Sequence, residues 1–163
     1  MVCALSRSGD GKFIAAKAGQ ELAIWDFPKK KLAKAIPVQG EFDMAGFGPK
    51  AARLGLWSPD GRLFISASRD VKFKILNGQS FETLREIKAN YTPDKVQWSP
   101  GGKLVATTAD ERILAWEADT GRELPLPQTL TYRINDFCWA GDSKRILISN
   151  MDEVAMVEVP SNI

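Results

Sequence analysis

A short turn segment recurs four times along this chain, which limits the fold to one built from repeated hairpins. The copies are Ser6-Arg7-Ser8-Gly9-Asp10-Gly11-Lys12, Ser58-Pro59-Asp60-Gly61-Arg62, Ser99-Pro100-Gly101-Gly102-Lys103 and Ala140-Gly141-Asp142-Ser143-Lys144. The last three start 41 residues apart, at 58, 99 and 140, and the first reads as the same turn with two extra residues inside it. Proline presets φ at the second position, Asp or Gly follows, and Gly supplies the positive φ that closes a tight hairpin. A basic and then an apolar residue leave each turn, and a large apolar residue enters it: Leu5, Trp57, Trp98 and Trp139. A strand therefore runs into every turn and another runs out.

The register extends beyond the turn. Seventeen residues after Ser58, Ser99 and Ala140 come Ile75, Trp116 and Val157, and the first copy offers Trp25, displaced by its two extra residues. These lie in apolar segments (22–26, 71–75, 112–117 and 154–158) that read as third strands, reached through short polar turns. Further reversals at Asn77-Gly78 and Asp119-Thr120-Gly121 lead to outer strands over 81–87 and 122–126. No segment keeps helical spacing for three turns without Gly or Pro. The extra piece around 41–53 reads as a loop on its Gly46, Gly48 and Pro49.

The Ser58-Pro59-Asp60-Gly61 turn, the pair Trp25-Asp26 with its echo Trp116-Glu117, and the run Asp119-Thr120-Gly121-Arg122-Glu123-Leu124 resemble the WD-repeat (WD40-like) β-propeller family over nearly the whole chain. The resemblance implies an all-β fold of propeller blades: four repeats of four-stranded antiparallel sheets around a channel, in a partial or half propeller. Blade 1 covers about 1–38, an insertion 39–52, blade 2 about 53–90, blade 3 about 91–130 and blade 4 about 131–163. The family's Gly-His pair is absent, so its Asp-His-Ser-Trp network has no counterpart and blade stability is expected to rest on apolar packing. Family propellers close with about seven blades, whereas here four repeats are legible and the last lacks a fourth strand. The exposed edge this implies invites pairing with another chain. A piece of a longer propeller, a half-propeller homodimer and a self-sufficient arc all remain open.

Histidine is absent, which removes the commonest general base and metal ligand, so triads and Cys/His metal sites are not expected. No enzymatic activity and no cofactor are expected. Cys3 and Cys138 read as two buried thiols in a reducing compartment, with a disulfide as the alternative. No apolar run approaches the ~20 residues of a membrane helix, and no export signal is legible, so the reading is cytoplasmic, with the nucleus left open. The sequon Asn90-Tyr91-Thr92 is discounted on the same ground. The acidic pairs Asp110-Glu111 and Asp152-Glu153 read as solvated turns rather than calcium ligands. Gly46-Phe47-Gly48-Pro49-Lys50 lacks the spacing of a phosphate loop.

The resemblance places partners on the face formed by loops entering the inner strands and loops joining second to third strands. Arg69, Asp70, Tyr91, Lys95, Asp110, Glu111, Tyr132, Arg133, Asp152 and Glu153 would lie there. Aromatic and arginine side chains anchor protein interfaces, which selects Arg69, Tyr91, Tyr132 and Arg133 as protein-binding candidates. The expected function is a non-catalytic protein–protein scaffold. One alternative is an accessory propeller of a larger enzyme or translation factor. Another is an RNA-binding propeller using the run Lys29-Lys30-Lys31-Leu32-Ala33-Lys34, although a net charge of +2 does not favour nucleic acid. The other reading of that run is an edge strand guarded by lysines.

Overall fold

The computed structural model describes residues 2–18, 21–37, 57–68, 72–88, 95–109, 111–127 and 133–160. They contain no helix and form four antiparallel sheets. The chain divides into two compact units, Met1–Thr92 and Pro93–Ile163. In the first unit, β1 (Val2–Arg7), β2 (Phe13–Ala18), β3 (Glu21–Asp26) and β4 (Lys31–Pro37) pair in chain order, followed by a sheet of β5 (Leu63–Ser68), β6 (Lys72–Asn77) and β7 (Thr83–Lys88). In the second unit, β8 (Lys95–Trp98), β9 (Leu104–Ala109), β10 (Arg112–Glu117) and the two-residue β11 (Glu123–Leu124) form one sheet. A three-stranded sheet follows, made of β12 (Asp136–Trp139), β13 (Arg145–Ser149) and β14 (Val154–Glu158). The all-β reading of separate antiparallel sheets holds. The outer strands differ in detail: β7 starts at Thr83 because Phe81 belongs to the preceding turn, and β11 stops at Leu124 before Pro125. The expected loop at 41–53 lies outside the described residues.

Backbone hydrogen bonds correct the alignment of the repeats. Ser8 N–H donates to Phe13 O and Gly11 N–H to Ser8 O, as Ser58 does with Leu63 and Gly61, Ser99 with Leu104 and Gly102, and Ala140 with Arg145 and Ser143. The first turn therefore begins at Ser8, has the same length as the others, and carries no extra residues. Arg7, not Leu5, precedes it, and Trp25 falls seventeen residues after Ser8 without displacement. A second correction lies in the second sheet. Trp25 pairs with Ile14, Trp116 with Val105 and Val157 with Ile146, but the partner of Phe64 is Leu76, not Ile75. One more residue in the β5–β6 hairpin moves the equivalent position to Leu76. Because side chains alternate between faces, Ile75 then points to the other side of the sheet.

Each of these turns is held by its own side chains. Ser8 Oγ–H donates to Asp10 Oδ1 at 2.7 Å, and Lys12 N–H donates to the same oxygen at 3.0 Å. Ser58 and Arg62 repeat this on Asp60 at 2.6 and 3.1 Å, and Lys144 N–H donates to Asp142 at 2.9 Å. Local side-chain bonds of this kind fix an Asx-type turn. Glycines at φ near +70° close three of the turns, and Ser143 takes that place at φ 60° in the fourth. The acidic or amide residue after the aligned Trp25, Leu76 and Trp116 caps the next reversal. Asp26 accepts from Lys29 N–H at 3.0 Å, Asn77 from Gln79 and Ser80 N–H, and Glu117 from Thr120 Oγ–H and Arg122.

Packing is sheet on sheet within each unit. Ala15, Leu22 and Ile24 of the first sheet pack on Trp57, Phe64, Leu76 and Phe81, with Phe13 and Ile36 at the margin. Phe64 meets Trp57 edge to face at 4.7 Å, and Phe81 meets Phe13 at 5.4 Å. In the second unit, Leu104, Ala106, Ile113, Ala115 and Leu124 pack on Phe137, Ile146, Ile148 and Val157. Strand β9 is buried at every position, whereas β13 alternates buried and exposed residues. Only one face of that last sheet is covered, and Cys138 lies on the other, where it is free and exposed. The expectation of two buried thiols is therefore wrong for Cys138, whose neighbour Phe137 takes the core side of the strand. The side chain of Cys3 lies outside the described residues.

Candidate interaction surface

The sheets present two kinds of end. One carries the Ser/Asp turns and the reversals capped by Asp26, Asn77 and Glu117. The other carries the β9–β10 and β13–β14 turns and the approach to β8 and β12. Five carboxyls with displaced titrations, Asp10, Asp26, Asp60, Glu117 and Asp142, sit at the first end. Asp10, Asp26 and Asp142 are held low mainly by the backbone N–H groups of Lys12, Lys29 and Lys144. Glu117 is lowered by the Arg122 guanidinium and then Thr120. At Asp60 partial burial opposes ionisation and is the largest single influence, but the combined bonds from Ser58 and Arg62 outweigh it and bring the carboxyl down to about 2. These shifts follow from turn architecture rather than from any poised acid–base chemistry. A cleft of about 370 Å³ opens at this end of the first unit, lined by Lys12, Phe13, Asp26, Pro28, Lys29 and Gln79. Its two lysines are already paired, Lys12 with Asp10 at 3.3 Å and Lys29 with Asp26 at 3.0 Å.

The second end carries the described part of the loop face expected from sequence to meet partners. In the last sheet, Asp136 of β12 pairs with Ser149 of β13, so the approach at Arg133 lies beside the β13–β14 turn. That turn is fixed by Asn150, whose Oδ1 accepts from Asp152 N–H at 2.8 Å and Glu153 N–H at 2.7 Å. Asp152, Glu153 and Arg133 are exposed there, and Glu111 is exposed at the matching turn of the third sheet. Of the four protein-binding candidates only Arg133 is described; Arg69, Tyr91 and Tyr132 lie outside the described residues, as do Asp70 and Asp110. Among the described residues no cluster of acidic residues and cysteines has the geometry of a metal site.

Lys95 is a further correction. It is not a loop residue but a buried member of β8, 5% exposed. Its ammonium donates to Asp136 Oδ1 and, at 2.7 Å, to Phe137 O, and stands 4.9 Å from the Phe137 ring centroid. Lys95 and Asp136 are 41 residues apart, so the same position of two successive repeats forms an ion pair across the two sheets of the second unit. The period makes the two positions equivalent, but only the packing of the two sheets brings them into contact. Lys29 and Lys30 occupy a turn, Lys31 and Lys34 lie on the edge strand β4, and Lys34 donates to Phe81 O at 3.0 Å, tying that edge to the neighbouring sheet of the unit.

No family model matches the chain. Periodic tryptophan protein 2 homolog of Dictyostelium discoideum is 23% identical over 145 residues, covering 85% of this chain and 15% of that protein. Protein hir1 of Schizosaccharomyces pombe is 30% identical over 105 residues, covering 58% of this chain and 11% of that protein. Both are WD-repeat proteins. The chain thus matches only a small part of the length of these curated relatives. Among solved structures, Kuenenia stuttgartiensis hydrazine synthase superposes with a TM-score of 0.71 at 15% identity, over 98% of this chain and 49% of that one. That likeness is one of fold alone.

Proposed function

We propose that this chain is a single run of four propeller blades, about 1–38, 53–90, 91–130 and 131–163, that serves as a non-catalytic platform for protein contacts. The observation that carries the reading is the end of the second unit at Arg133, Glu111, Asp152 and Glu153. There, exposed charged side chains stand beside a Lys95–Asp136 pair that links β8 to β12, and Asn150 fixes the turn that carries Asp152 and Glu153, which is how a rigid sheet displays a recognition surface. Similarity to WD-repeat proteins supports it, since such proteins generally act as interaction scaffolds. The same platform serves equally as an accessory module within a larger protein. The test is a photo-crosslinking amino acid placed at Arg133 or Glu153, with Lys103 and Asp142 at the other end as controls, in the native cells. A common protein captured from the first pair and not from the second is the expected result. RNA captured in its place, or equal capture at both ends, overturns the reading.

A further inference from the structure

The charge of the chain is divided unequally between its two units. Residues 1–92 hold 15 Lys and Arg against 9 Asp and Glu, whereas 93–163 hold 7 against 11. A near-neutral total therefore hides a basic first unit, and such asymmetry between parts of a chain points to a charged partner. Part of the excess is gathered at one place. Lys29, Lys30 and Lys31 follow one another through the β3–β4 turn, Lys12 stands at the end of the β1–β2 turn, and all four are exposed. Lys30 holds a left-handed φ of 51° at the position that Gly121 fills in the third sheet. Glycine takes that conformation without strain, so turn geometry does not account for the lysine, and a residue kept under backbone strain is a pointer to function.

Lys12 and Lys29 line the cleft of about 370 Å³ between the turns of the first and second sheets, together with Phe13, Asp26, Pro28 and Gln79. Ligand pockets run from about 300 to 1,000 Å³, so this one suits a side chain better than a large cofactor. Its walls are fixed. Phe13 meets Phe81 edge to face at 5.4 Å, Lys34 donates to Phe81 O at 3.0 Å, and Asn77 Oδ1 accepts from Gln79 N–H at 2.9 Å. A preformed cleft loses little freedom on binding. Lys12 and Lys29 each hold one carboxylate, of Asp10 and Asp26, but an ammonium has three N–H donors and exposed ion pairs of this kind are weak. Lys30 and Lys31 form no ion pair among the described residues.

We propose that this cleft binds an acidic peptide segment of a protein partner. An apolar side chain of the segment enters against Phe13 and Pro28, while its carboxylates meet Lys12 and Lys29 at the cleft and Lys30 and Lys31 beyond it. The lining favours peptide over RNA. Asp10 and Asp26 stand beside the lysines, so a continuous row of phosphates would meet like charge, whereas peptide carboxylates can be spaced to avoid both. Phe13, the one aromatic ring of the lining, is half-buried and already engaged with Phe81, which makes it a poor platform for stacked bases. The site belongs to the turn end of the first unit and not to the Arg133 end of the second, so its failure leaves the platform reading standing.

A random peptide library displayed on phage and panned against the full chain tests it. Enriched peptides are expected to be acidic, with an apolar residue among the carboxylates, and to bind more weakly as salt rises. Binding of a synthetic copy, read by fluorescence anisotropy, should fall roughly tenfold or more with Lys12→Glu/Lys29→Glu. It should fall as far with Gln79→Trp, which fills the cleft and leaves the charge unchanged. Lys74→Glu/Lys88→Glu makes the same change of charge on β6 and β7 and should leave binding within about twofold. Circular dichroism checks that each variant is folded. No enrichment, enriched peptides that are neutral or basic, or acidic peptides that ignore both cleft variants, overturns the proposal. So does binding of random-sequence RNA, or of a second copy seen by light scattering, that both cleft variants abolish, because the cleft then has another occupant.

Discussion

Single atoms decide several of the turns. A Cβ on Gly78 would overlap the Gly61 carbonyl oxygen and crowd the Arg62 carbonyl, whereas a Cβ on Gly141 meets nothing. Gly78→Ala is therefore expected to lower stability by about 1–3 kcal/mol through overpacking, and Gly141→Ala to stay within about 0.5 kcal/mol. Urea unfolding of the two variants measures the contrast. The turn carboxyls give a pH signature with a definite sign. Their folded titration points lie below the usual value of about 4, so the stability they confer is complete above pH ~4 and is lost as pH falls toward the folded values. For Asp60 that window extends down to about 2. The melting temperature of wild type should drop between those limits, and Asp60→Asn, already less stable at neutral pH, should show a shallower drop.

At the level of elements, sheets are joined by a few specific contacts laid over general apolar packing. Phe64 is fully buried and meets Trp57 and Phe81 edge to face, so Phe64→Ala should cost about 3–5 kcal/mol. Phe81 holds a left-handed φ of 57° at the place Gly121 fills in the third sheet, and its part in this aromatic cluster offsets that strain. The Lys95–Asp136 pair behaves differently from apolar contacts. Asp136→Asn leaves a buried ammonium with a weaker partner and should cost about 1–3 kcal/mol, since Asp136 itself is partly solvated. Lys95→Met in the Asp136→Asn background should recover part of that loss. A double-mutant cycle by denaturant unfolding reads the coupling, and strict additivity would mean that the pair contributes nothing beyond its separate members.

On the scale of the molecule, the rows of Trp25 and Leu32 in the first sheet and of Leu147 and Met156 in the last are exposed, whereas Phe64, Val105 and Trp116 in the sheets between are buried. The period of 41, the turn residues and the alternation of apolar side chains are local, and the sequence by itself determined from them that this chain folds as repeated antiparallel sheets. Hairpin turns are specified by adjacent residues such as Ser58, Asp60 and Gly61, so they are legible in order along the chain. Register is not local in that sense. Whether Ile75 or Leu76 joins Phe64 depended on which face each strand buries, because one residue of slip exchanges the faces, and the start of the first turn at Ser8 rather than Ser6 was fixed by its backbone hydrogen bonds. The Lys95–Asp136 pair and the exposure of Cys138 were likewise decided only by the tertiary structure, because both depend on what a neighbouring sheet covers, and that is a property of packing between repeats.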